Sequence, residues 1–197
     1  MIFTTRMLID RYGTEYSNPK TKIGRLVKEG AYTPIIRGLY ETDANLDGKL
    51  LADVIYSPSY LSFDYALSYH GLIPERVEAY TSATTGKRRS KCYITPFGRY
   101  TYQDVPRPVF MQCVRFHAVG EYTYWMAEPE KAMCDKLYKL PPITSVKAME
   151  ATLLGDLRIY EDELDAIDIW DIIELSQLYG SRNVSMFAKY MEKRSRR

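Results

Sequence analysis

The stretch NPKTKIGRLVKEGAYTPIIRGLYE, Asn18 to Glu41, decides how the rest of the chain is read. Asn18 is a strong N-cap residue, and Pro19 suits the first helical position, where a missing N–H costs nothing. Ile23, Leu26 and Val27 follow at i, i+3 and i+4, one apolar stripe for a core. At about 100° per residue, Thr21, Gly24, Arg25 and Lys28 point the other way, with Lys20 and Lys22 on the flanks. Gly30 is placed to stop the helix as its C′ residue. Beyond it, Tyr32 to Ile35 and Leu39-Tyr40-Glu41 alternate around Arg37-Gly38, the pattern of a short hairpin. A helix with a basic outer face and a hairpin directly after it predicts the recognition helix and wing of a winged helix-turn-helix. Solvated surface accounts for most basic helix faces taken alone. Here the cations are crowded into three turns, Gly24 interrupts them where a DNA backbone could approach closely, and Arg37 sits at a hairpin tip. Thr21, Arg25 and Lys28 are therefore expected to face base edges or phosphates, and Lys20, Lys22 and Arg37 to grip the backbone.

Upstream, Met1 to Tyr12 predicts a first helix, with Thr4 as its cap, Met7, Leu8 and Tyr12 as its buried stripe, and Gly13 at its end. Only Thr14 to Ser17 separates it from Asn18, the tight spacing of a helix-turn-helix pair. This leaves no room for the extra helix usual in a winged domain. Either the head is minimal or Gly48 to Tyr56 (GKLLADVIY) packs back to supply that helix. Thr42 to Asp47 (TDANLD) is turn-rich and reads as a hinge. The expected organisation is a winged head over residues 1–46 and an α+β domain over 47–197.

In the second part, Ser62 is positioned to cap a helix carrying Phe63, Ala66, Leu67 and His70, closed by Gly71. From 77 to 126, five segments rich in β-branched and aromatic residues, punctuated by Gly and Pro, predict an antiparallel meander. Lys87, Arg88 and Arg89, with Lys91, lie beside its first turn and are candidate phosphate contacts. Helices are then expected from Glu128 to Leu140, Ser145 to Leu154 and Ile169 to Tyr179. A last helix is capped by Ser181 or Asn183, and a basic tail over 193–197 is a further phosphate candidate.

The 197 residues include no apolar run long enough to span a bilayer, and residues 1–12 do not read as a signal peptide. Three widely spaced cysteines without a C-x-x-C argue against a disulfide framework or zinc site and fit a reducing cytoplasm. A net charge of +2 hides segregation: residues 75–117 carry eight Lys/Arg against three Asp/Glu, residues 118–180 five against thirteen, and residues 181–197 six against one. That pattern suits one face for a polyanion and another turned away from it. No metalloprotease, nucleophile-elbow, P-loop or dinucleotide motif is present. His70 reads as a packing or capping residue. The acids from Glu161 to Asp171 read as a solvated face, and Glu130 and Asp135 as partners of Lys131 and Lys136. The expectation is a protein with no metal, no cofactor and no catalytic residues. Its rivals are a nucleic-acid-processing enzyme using second-domain carboxylates, or a plain protein-interaction module.

Three stretches, RGLYE (37–41), SYLSFDYALSYHGLIPE (59–75) and MAEPEKAMCDKLY (126–138), together resemble the AbiEi family, antitoxins of type IV toxin–antitoxin, abortive-infection systems. The resemblance covers nearly the whole chain. It implies a winged head that represses its own operon by occupying double-stranded operator DNA, joined to a mixed domain needed for antitoxin activity. The functional partner it implies is a nucleotidyltransferase-like toxin, opposed without a stable complex. No catalytic role is carried onto Ser62, His70, Glu130 or Asp135.

Overall fold

A computed structural model describes residues 1–196. The chain is a mixed α+β fold with two sheets. The first sheet has three strands in the order β1-β3-β2, where β1 is Ile2–Thr4, β2 Thr33–Ile36 and β3 Leu39–Glu41. Between β1 and β2 lie α1 (Thr5–Tyr12) and α2 (Pro19–Lys28). The first helix is therefore shorter than expected, because Ile2 and Phe3 extend to pair with Glu41 and Tyr40. Thr4 does cap α1, accepting the Met7 N–H at 3.2 Å. Met7 itself is exposed, and the inward stripe is Leu8, Ile9 and Tyr12.

Strand alternation divides this small sheet into two faces. Phe3 and Tyr40 meet Leu8, Ile23 and Tyr32 in a compact core under the helices. Ile2, Ile35 and Leu39 point the other way and join the main core. The sheet is thus a layer with α1 and α2 on its outside. Gly48 to Tyr56 does not return to complete the head. It forms a 3-10 turn (Gly48–Leu51) and α3 (Ala52–Ile55), whose Leu50, Leu51, Ala52 and Ile55 are buried in the main core. Gly48 is held there by close approach: an added Cβ would sit 2.5 Å from the Phe97 carbonyl oxygen. The head is also tied down. Buried Glu41 accepts the Thr42 N–H at 2.8 Å, the Asp43 N–H at 3.1 Å and the Tyr122 hydroxyl at 3.0 Å.

The larger sheet has six strands in the order β6-β7-β5-β4-β9-β8. They are β4 (Ser59–Leu61), β5 (Tyr80–Thr84), β6 (Lys91–Thr95), β7 (Gly98–Asp104), β8 (Val114–Val119) and β9 (Tyr122–Ala127). An antiparallel meander was the expectation, and the sheet is mixed. Strand β4, in the centre, pairs parallel to β9 and antiparallel to β5, and β5 pairs parallel to β7. Its three residues are all buried, so they carry no alternation that would announce a strand.

Helix α4 (Phe63–Tyr69) and α5 (Pro129–Tyr138) pack beside the sheet. They are followed by α6 (Val146–Glu150), a π-helical turn (Ala151–Asp156), α7 (Glu161–Asp165), α8 (Ile169–Tyr179) and α9 (Arg182–Arg194). Asn183 does not cap α9. It is buried, accepting the Ile143 N–H at 2.8 Å and donating to the carbonyls of Leu137, Leu140 and Pro141. Of the basic tail, Arg194 is turned inward: it bonds Asp165 and reaches Glu161 at 3.1 Å. Arg197, at the end of that tail, lies outside the described residues. No helix among them is long and apolar enough to cross a membrane.

Candidate nucleic-acid interface

The geometry of α2 follows from its local sequence. Asn18 Oδ1 accepts the Thr21 N–H at 3.2 Å, satisfying one of the free donors of the first turn. At the other end, Gly30 at φ +78° lets the Ala31 N–H reach the Leu26 carbonyl at 2.9 Å and its own N–H reach Val27 at 3.2 Å, a Schellman closure. Ile23 is buried, while Leu26 and Val27 are half-buried around it. This fixes the rotation of the helix. Lys20, Thr21, Gly24, Arg25 and Lys28 are all exposed on the side away from the small core.

Lys22 is half-buried, with its ammonium 5.0 Å from the centroid of the Tyr16 ring. Arg25 meets Glu29 one turn on at 3.6 Å, with both side chains more than half exposed, so the pair leaves the guanidinium available. Tyr16, Ser17, Asn18, Thr21, Lys22 and Arg25 line an open groove of about 230 Å³. Gly24 has no neighbour that requires a glycine: an added Cβ would meet nothing within 4 Å. Arg37 is exposed at the hairpin tip, where Gly38 takes φ +89° and its carbonyl accepts the Thr5 N–H at 2.9 Å. The tip is therefore braced against the start of α1.

Lys87, Arg88 and Arg89 belong to a different region. They lie in the β5–β6 connection, ahead of β6. The other end of β6 leads to Phe97, against which Gly48 packs where the head joins. Five residues of strand put about 17 Å between the two ends. Among the described residues, no ion pair or hydrogen bond joins this turn to α2. Asp104 organises the turn instead, accepting the Lys87 N–H at 2.9 Å and the Arg88 N–H at 3.2 Å. The Lys87 ammonium lies over the Tyr56 ring, 5.1 Å from its centroid, while Arg88 and Arg89 are exposed.

The residues of the two longer motifs come together inside the larger body. Ser62 makes no capping bond to α4; its hydroxyl donates to Asp135 Oδ2 at 2.7 Å. Tyr60 donates to the same oxygen at 2.9 Å, and Lys131 donates to Oδ1 at 3.0 Å. Tyr179 completes the set by bonding Asp135 Oδ1 and lying against the Lys131 ammonium. Burial, and then the Asp135 charge, push the Tyr60 and Tyr179 hydroxyls well above their ordinary range, so both stay protonated as donors. Lys131 and Asp135 have no exposed side-chain surface. Glu130 takes no part, and accepts the Asp168 N–H at 2.9 Å. Lys136 pairs with Asp64. His70 bonds the Ala127 carbonyl at 2.8 Å, a packing role. The chemistry available to this cluster is structural, because its groups are mutually satisfied and closed to solvent. Tyr60 and Tyr179 were not legible as members of it, since no spacing rule links 60, 131 and 179.

No protein-family model matches the chain, and no curated protein matches its sequence.

Proposed function

We propose that the chain is a DNA-binding transcriptional repressor, the antitoxin of a type IV toxin–antitoxin system of the kind it resembles. In this reading α2 is the recognition helix of a winged helix-turn-helix, and β2–β3 is its wing. The observation that carries it is the outward face of α2, where Lys20, Arg25 and Lys28 stand exposed around Gly24 on a helix that caps one side of the molecule. The order strand, helix, helix, hairpin, with β1 pairing against β3, supports this reading. The meeting of Ser62, Lys131 and Asp135 supports the resemblance, because its two longer motifs then describe one packed unit.

Operator DNA is the ligand, and a nucleotidyltransferase-like toxin encoded alongside is the functional partner, opposed in the cytoplasm without a stable complex. No cofactor and no catalytic residue enter this reading. Arg25→Ala weakens operator binding by roughly 1–3 kcal/mol and relaxes sequence preference if Arg25 reads a base. Lys22→Ala weakens all sequences alike and flattens the salt dependence. Gel shifts in which both variants match the unmodified protein overturn the assignment. Rescue of growth when the chain is co-expressed with the neighbouring nucleotidyltransferase-like gene tests the antitoxin half separately.

A further inference from the structure

The basic turn after β5 is half of a pocket whose other half comes from a segment twenty residues on. Thr85, Gly86, Arg88, Asp104, Val105, Pro106 and Arg107 line a cavity of about 370 Å³. The Arg107 guanidinium is laid over Gly86: a Cβ added there would lie 3.7 Å from both Nε and Nη2. Gly86 takes φ +71° and Arg88 φ +54°, so the turn brings the Arg88 backbone N–H onto Asp104. Arg88, Arg89 and Arg107 are exposed, and none forms an ion pair among the described residues. Asp104 is the one acid on the lining, and its oxygens are already engaged by the Lys87 and Arg88 N–H groups. The pocket therefore sets two guanidinium forks against a single carboxylate, which the backbone N–H groups of the turn hold in place.

We propose that this pocket binds a phosphate group, held between Arg88 and Arg107 with Arg89 at its rim. Two planar forks suit a tetrahedral oxyanion that can accept from both at once, where a single carboxylate satisfies one fork. The site is separate from the face of α2 and does not depend on the repressor reading. Its phosphate has two chemical sources, a small phosphorylated ligand or the backbone of a nucleic acid.

The test titrates the full chain with inorganic phosphate by calorimetry, against chloride at matched ionic strength. The unmodified protein shows saturable binding, and Arg88→Gln and Arg107→Gln each weaken it about tenfold or more. Binding no better than chloride, or an Arg88→Gln/Arg107→Gln double variant that binds phosphate as well as the original, overturns the proposal. Thermal melts confirm that these exposed substitutions leave the fold intact. The double variant is then offered a short mixed-sequence duplex. A weaker complex with a shallower salt slope assigns the phosphate to nucleic acid, and an unchanged complex assigns it to a small phosphorylated ligand. Failure of the recognition-helix reading is read independently, from Arg25→Ala on the duplex.

Discussion

Gly24→Ala separates what the fold needs from what a ligand needs. Gly24 lies in the middle of α2, and glycine in a helix interior costs roughly 0.5–1 kcal/mol relative to alanine through backbone entropy. Nothing in the molecule offsets that cost, because a Cβ at this position meets no atom within 4 Å and the residue needs no left-handed backbone. The substitution therefore stabilises the chain by about 0.5–1 kcal/mol, raising the melting temperature by roughly 1–4 °C for a protein of this size. In the proposed complex with DNA the sign reverses. A methyl inserted where helix and duplex backbone are in close contact overpacks the interface, costing about 1–3 kcal/mol by analogy with filled protein interiors. Urea denaturation followed by fluorescence anisotropy on operator DNA at one fixed salt concentration reads both quantities on the same preparation. A protein that gains stability and keeps its full DNA affinity refutes the placement of this face against DNA. A protein that loses stability refutes the account of the helix itself.

The remaining expectations concern what holds the body together. Asp135→Asn or Lys131→Met breaks a fully buried, hydrogen-bonded pair and leaves its partner charge uncompensated, a loss of about 3–5 kcal/mol in denaturant midpoint analysis. The Lys131→Met/Asp135→Asn double variant loses less than the sum of the singles, and strict additivity would show that the two side chains are not coupled. Glu41 links the head to β9. Burial acts to raise its carboxyl, but hydrogen bonds from the amino terminus, Asp43, Tyr122 and Thr42 win and hold it below its ordinary 4.5. A depressed folded-state value contributes stability that is present above the unfolded value and lost as pH falls through the folded one. Acid titration of stability below about pH 4.5 should therefore show a loss that Glu41→Gln abolishes and Tyr122→Phe reduces. Equal acid sensitivity in all three proteins would remove Glu41 from the account.

What was legible in the sequence was local. The cap, apolar stripe and glycine stop of α2 lie within the thirteen residues from Asn18 to Gly30, and all three recur as hydrogen bonds and burial at the same positions. Helix α8 has the span from Ile169 to Tyr179 that its periodicity indicates, with Asp168 as its cap. Failures came where distant segments decide. Residues 1–12 read locally as one helix, but β3, far along the chain, captures Ile2 and Phe3 into a sheet. Ser62 and Asn183 are capping residue types drawn instead into tertiary hydrogen bonds, because a buried carboxylate and a run of unpaired carbonyls compete for them. The exposed basic residues of α2 could be named from the sequence because helical rotation places them. Arg107 could not, since its proximity to Gly86 depends on how β5 and β7 pair.

The buried cluster explains why the two longer motifs travel together in this chain. A lysine and an aspartate without solvent contact are costly unless every donor and acceptor is matched. Each Asp135 oxygen has two donors: Tyr60 of β4 and Ser62 just after that strand on Oδ2, and Lys131 and Tyr179 of α8 on Oδ1. Replacing any one of these residues takes a partner from Asp135 in the interior, so the serine of the first motif and the lysine and aspartate of the second serve one packing requirement. That requirement concerns the packing of β4, α5 and α8, with no reacting group exposed. A resemblance founded on it therefore speaks for the architecture of the larger body. The α2 surface lies outside that constraint, so its cations can be exchanged without disturbing the core. Under the proposed repressor reading, chains sharing the buried cluster but differing at positions 20, 21, 25 and 28 should keep this fold and prefer different DNA sequences, and binding-site selection on α2-swapped variants measures it directly.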